Sequence, residues 1–168
     1  MPKPPRNPKR PRPKEMRFDQ FAEALKPIRK QLAEQAAAKI PSEIQVAVQK
    51  IKELRAQHER EYYRDLRDSG PHIGSFFRMR EISEEIKAVQ AGLFDLKRAQ
   101  LNRMTSEELI AEAKKVFVLE GLRELSRNTR LHPRGGKTIE TFITVLFHNQ
   151  SVKIIIIEAI ARKYCTLF

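Results

Sequence analysis

The chain has 168 residues, 40% of them hydrophobic and 32% charged, enough apolar material for one core plus a tail. Its net charge of +12 favours polyanionic partners, meaning nucleic acid, acidic lipid surfaces or acidic protein tails. One cysteine excludes an intramolecular disulfide, no run reaches 18 apolar residues, and no apolar stretch follows the charged N-terminus. An intracellular protein of nucleus or cytoplasm is therefore expected.

Residues 1–14 hold Lys3, Arg6, Lys9, Arg10, Arg12 and Lys14, no acid, and six of the ten prolines. Proline fixes φ and removes a backbone donor, so residues 1–16 are expected to form a disordered, extended, basic arm. Residues 17–168 are expected to form one helical domain. Phe18, Phe21, Leu25, Ile28 and Leu32 recur at helical spacing, and Pro27 is expected to divide this stretch into two helices. Pro41 is expected to end the second. Ser42 with Gln45 has the form of a capping box that opens a long helix. Along it Ile44, Val48, Ile51, His58, Tyr62 and Leu66 repeat, up to a break at Ser69-Gly70-Pro71.

The next helix starts near Ser75. Met79, Ile82, Ile86, Val89, Leu93 and Leu96 step by three and four, a heptad seam suited to a hairpin with the preceding helix or to self-association. One or both of Phe76 and Phe77 are expected to close the end of the helical core, the alternative being an exposed recognition pair. Thr105-Ser106-Glu107-Glu108 is a T-x-x-E capping box opening one helix through Leu109, Val116, Phe117 and Leu125, followed by a loop from Asn128 to Lys137. Thr138 to Phe147 and Val152 to Ile160 are rich in β-branched residues and could pair as a hairpin. Their apolar positions also fit helical faces, and no other strand is available, so helices are expected. The fold class is then all-α: a helical bundle with long, coiled-coil-like central helices behind a basic arm.

A second acid-free stretch, between Glu124 and Glu140, holds Arg127, Arg130, Arg134 and Lys137. Together the two stretches supply ten of the twelve net positive charges. Basic side chains neutralise phosphates, and the arm carries no aromatic ring for stacking on bases, so backbone contact without sequence reading is expected. Gly135-Gly136 would let backbone amides approach an anion. Gly136-Lys137-Thr138 resembles the end of a phosphate-binding P-loop, but position 131, where the first glycine belongs, is Leu131. Lys9, Arg10 and Arg12 resemble a short importin-binding nuclear-localisation motif, which implies nuclear import. Cys165-Thr166-Leu167-Phe168 has the shape of a prenylation box, with Cys165 as the lipid acceptor and Arg162 and Lys163 just upstream.

Catalytic patterns are missing from the sequence. His58-Glu59 opens like a helical zinc-protease motif, but position 62 is Tyr62, and a lone cysteine cannot build a zinc site. No catalytic residue, metal or cofactor is expected. The function expected is non-enzymatic binding of nucleic acid, RNA slightly favoured over DNA, by an accessory or regulatory protein. The alternative is an adaptor or viral-type accessory protein whose heptad helices bind a protein partner or a second copy, with the basic tail serving import or membrane attraction.

Overall fold

The computed structural model describes residues 18–67, 73–118, 121–132 and 137–168. They form six helices in chain order: α1 (Phe18–Arg67), α2 (Ile73–Leu101), α3 (Ser106–Val116), α4 (Leu122–Thr129), α5 (Ile139–Leu146) and α6 (Gln150–Thr166). There is no strand among the described residues, so the fold is all-α. The chain divides into two compact units, Met1–Ala36 and Ala37–Phe168. In the first, the described part is the opening of α1, with Ile28 and Leu32 exposed.

Two proline breaks expected from the sequence do not occur. Pro27 and Pro41 both lie inside the continuous α1. Ser42 is not an N-cap: its hydroxyl donates to the Lys39 carbonyl at 2.7 Å, within the helix. An interior proline costs about 3 kcal/mol through a lost donor and a ring clash. Around Pro41 the burial of Ile40 and Ile44 offsets that cost, because both sides of the proline must stay helical to keep these side chains inside.

The second unit is built around two apolar clusters. The larger gathers Leu101, Leu109, Phe117, Leu125, Phe142, Ile143 and Ile160 from α2 to α6. The smaller joins Ile40, Ile44 and Ile51 of α1 to Leu93 of α2 and Cys165 of α6. From Ala37 onward α1 runs antiparallel to α2 as the expected hairpin, tied by Lys50 Nζ to Glu85 Oε1 at 2.7 Å and by the Ser75 hydroxyl to the Glu61 carbonyl at 3.4 Å. Most of the remaining packing of α2 is against α6.

The β-branched C-terminus is helical. Thr138 caps α5 by accepting from Thr141 N at 3.3 Å, and Asn149 caps α6 by accepting from Ser151 N and Val152 N at 3.1 and 3.3 Å. These caps satisfy orphan amides at each start. Ile156, Ile157 and Ile160 are then fully buried, each contributing about 1.5–3 kcal/mol and overriding weak local propensity. The Thr105 box also forms: Glu108 N donates to Thr105 Oγ1 and Thr105 N to Glu108 Oε2, at 3.3 and 2.8 Å. The helix it opens is shorter than expected. It ends at Val116, and a new helix starts after Gly121, whose φ of 55° and ψ of −121° form a conformation that glycine reaches without the clash a side chain would meet.

Candidate nucleic-acid interface

The second basic stretch lies on the end of α4 and the start of α5. Arg127 sits in the last turn of α4 and is exposed. Arg130 caps that helix in the left-handed conformation, φ 55° and ψ 21°, and is exposed as well. The turn behind it is held by side chains. Thr129 Oγ1 donates to the Leu125 carbonyl at 2.9 Å, and Ser126 Oγ donates to the Leu131 carbonyl at 2.7 Å. Thr129 is buried, so Arg130 projects from a fixed base. Lys137 is exposed one residue before the α5 cap. Arg134 and the arm residues Lys3, Arg6, Lys9, Arg10, Arg12 and Lys14 lie outside the described residues, as does the localisation-like motif.

The fold adds cations that the linear stretch does not contain. Beside Arg127 is a groove of about 260 Å³, lined by Lys115 of α3, Lys163 and Leu167 near the end of α6, Val116, Val118 and Glu124. Lys163 is ion-paired with Glu124, and Lys115 with Glu112 at 2.7 Å. Sequence spacing gives no sign of this grouping, because Lys115 and Lys163 are far apart in the chain and only the packing of α3, α4 and α6 brings them together. Arg123, on the first turn of α4, is also exposed.

The heptad seam is used within the chain. Leu93 is fully buried, Val89 and Leu96 pack against the α1 cluster, and Met79, Ile82 and Ile86 are half-buried. Phe76 and Phe77 do not close the core as expected: they are 62% and 54% exposed. The core ends lower down the hairpin, at Ile51 and Leu54, and the helices run on past it to the connector. Tyr62, Tyr63, Leu66 and Ile73 are exposed at the same end.

A buried polar group joins three helices behind the basic surface. Lys97 Nζ of α2 donates to Glu112 Oε2 of α3 at 2.8 Å and to Gln100 Oε1 at 2.9 Å, and lies 4.3 Å from the centroid of the Tyr164 ring of α6. Burial works to raise the Glu112 pKa, but hydrogen bonds and charge from Lys115 and Lys97 outweigh it and hold the carboxyl below its ordinary range. Cys165, next to Tyr164, is buried against the α1–α2 cluster, and that burial pushes its thiol pKa up although nearby Lys97 pulls the other way. A prenyl acceptor needs an accessible thiolate, whereas this thiol is packed inside the last turn of α6. Among the described residues no three His, Cys, Asp or Glu side chains are grouped as a metal site requires. No described helix is long and apolar enough to cross a membrane.

No family model, curated protein or solved structure matches the chain.

Proposed function

We propose that this chain is a non-enzymatic, nucleic-acid-binding accessory or regulatory protein that grips phosphates with its N-terminal arm and the α4–α5 surface. RNA is slightly favoured over DNA, since basic arms of this composition suit threading between RNA helices. The observation that carries the reading is the joint exposure of Arg127, Arg130 and Lys137 in a stretch free of acids from Glu124 to Glu140. Clustered basic side chains attract phosphates, and most contacts of this kind go to the backbone and carry no sequence information.

The test is fluorescence anisotropy with labelled single-stranded RNA and duplex DNA. Three proteins are compared: the full chain, a deletion of residues 2–14, and Arg130→Ala/Lys137→Ala. Submicromolar binding near physiological salt that weakens with both changes is the expected result. No binding by the full chain even at low salt would reject the reading. A second reading, a helical protein adaptor, is favoured by the exposed apolar end of the α1–α2 hairpin.

A further inference from the structure

The side of the hairpin that receives α6 continues beyond the point where α6 stops. On α2, Gln90, Phe94, Lys97 and Leu101 follow one another at helical steps and face α6. Gln90 Nε2 donates to the Cys165 carbonyl at 3.4 Å, and Lys97 lies over the Tyr164 ring. Phe76, Met79, Ser83 and Ile86 extend the same stripe toward the α1–α2 connector, since residues three and four apart share a helix face. Phe76 is exposed and the other three are only partly buried. The facing stripe on α1 behaves alike. Val48 packs against the smaller cluster, and Lys52 Nζ sits 5.6 Å from the centroid of the Phe168 ring at the end of α6. One turn further on come Arg55, then Tyr62 and Leu66, all exposed.

Between these two continuations is an open groove of about 440 Å³, lined by Arg55, His58, Ser83, Ile86 and Lys87. Ile86 is its apolar lining residue, beside Ser83, and its rim holds two cations and a histidine, with no carboxylate among the lining residues. Lys87 is paired with Glu84 at 3.0 Å, one turn back along its own helix.

We propose that this groove docks an acidic amphipathic helix of another protein, which lies on the α1–α2 hairpin in line with α6. Two observations select that occupant. The groove prolongs a face on which the chain already packs a helix of its own, so the spacing of its apolar side chains suits a helix. Its rim is positive, so the flanks of the occupant must be acidic. A second copy docked groove to groove would set the same cations against each other. From Phe76 to Ile86 the stripe is about 15 Å long, which three turns of helix cover.

The probe is a fluorescein-labelled, N-acetylated amphipathic peptide with leucine at the helical a and d positions and glutamate on both flanks. Two control peptides are used, one with lysine replacing glutamate and one with the leucines scrambled. Binding to the full chain is read by anisotropy at physiological salt, with sedimentation velocity run alongside. Saturable micromolar binding of the acidic peptide alone is expected. Tyr62→Ala/Phe76→Ala, both at exposed positions where the two stripes continue past the groove toward the connector, should raise Kd about tenfold, as loss of aromatic anchors does. Arg55→Ala/Lys87→Ala should weaken binding as well, and Arg130→Ala/Lys137→Ala should leave it unchanged.

Equal binding of the lysine or scrambled peptide would overturn the proposal, and so would indifference to the Tyr62 and Phe76 changes. Equal loss in the Arg130 and Lys137 variant would reduce the effect to general charge attraction. A dimer that dissociates on Tyr62→Ala/Phe76→Ala would give the groove to a second copy. RNA that displaces the peptide and needs Tyr62 and Phe76 for its own binding would give it to nucleic acid. Either result overturns the proposal.

Discussion

Lys97 lies inside the molecule in an ion pair, with a side chain only 5% exposed beside a Glu112 side chain 15% exposed. Such a pair is a poor source of net stability, because desolvating two ions offsets most of their attraction, but breaking it is costly. Glu112→Gln should therefore destabilise the protein by about 3 kcal/mol at neutral pH, leaving Lys97 buried without a counter-charge. Lys97→Met/Glu112→Leu should fall close to the native protein, since apolar groups of similar size fill the same space. The pH dependence has a fixed sign. The Glu112 pKa is lowered in the folded state, so its contribution is complete above the ordinary glutamate range, about 4.3, and is lost as pH falls through the lowered value. Urea unfolding at pH 7, 5 and 3 checks this: the deficit of Glu112→Gln should shrink at the lowest pH. A deficit that stays constant down to pH 3 would mean that Glu112 carries no stabilising charge.

Among the elements, α1 shows most clearly where local sequence signals are overruled. Pro41 lies within the helix beside Ile40 and Ile44, 7% and 5% exposed, and the packing of those two side chains maintains the helix through it. Pro41→Ala should restore a backbone donor and relieve the ring clash. It should raise stability by up to about 3 kcal/mol, less the entropy that the unfolded chain regains, as measured by thermal unfolding. A loss of stability would show that the proline sets a bend on which the packing of Ile40 and Ile44 depends. The elements that were legible in the sequence are those with a local chemical signature. The Thr105 box and the two helical faces of the C-terminus depend on residues within a turn or two of one another, while the break expected at Ser69-Gly70-Pro71 lies outside the described residues. The features that were not legible depend on distant ones. The chain end at Phe168 and the body of α2 decide which side of α1 is covered, and the positive φ of Gly121 splits α3 from α4 with no neighbouring residue to announce it. The site follows the same division. Arg127, Arg130 and Lys137 stand out because they are close in sequence, whereas Lys115, Lys163 and the buried Lys97 read as ordinary charges on solvated helices until α3, α4 and α6 are packed.

For the molecule as a whole, the net charge is unevenly distributed along the sequence. Residues 40–98, which include the α1–α2 hairpin and its exposed rings, hold eleven lysines and arginines against ten acids and are nearly neutral. The excess charge lies elsewhere in the sequence, in residues 1–14 and between Glu124 and Glu140. Under the proposed reading the hairpin end is the face for the helical partner and the basic stretches are the face for phosphate, and the two should respond differently to salt. Each neutralised phosphate releases counterions, so the log–log slope of affinity against salt counts the contacts. Deleting residues 2–14 should make the slope shallower by about 4 to 5 if all six cations engage, and Arg130→Ala/Lys137→Ala by about 1.5. If the two regions contact separate phosphates, the combined variant should lose the sum of both. The hairpin changes Tyr62→Ala/Phe76→Ala should leave the slope where it was, since they remove no charge. A slope unaltered by deletion of the arm would mean that the most basic segment of the chain does not touch phosphate. A hairpin variant with an altered slope would instead mean that the apolar end of the molecule belongs to the nucleic-acid surface, and the separation of the two faces would fail.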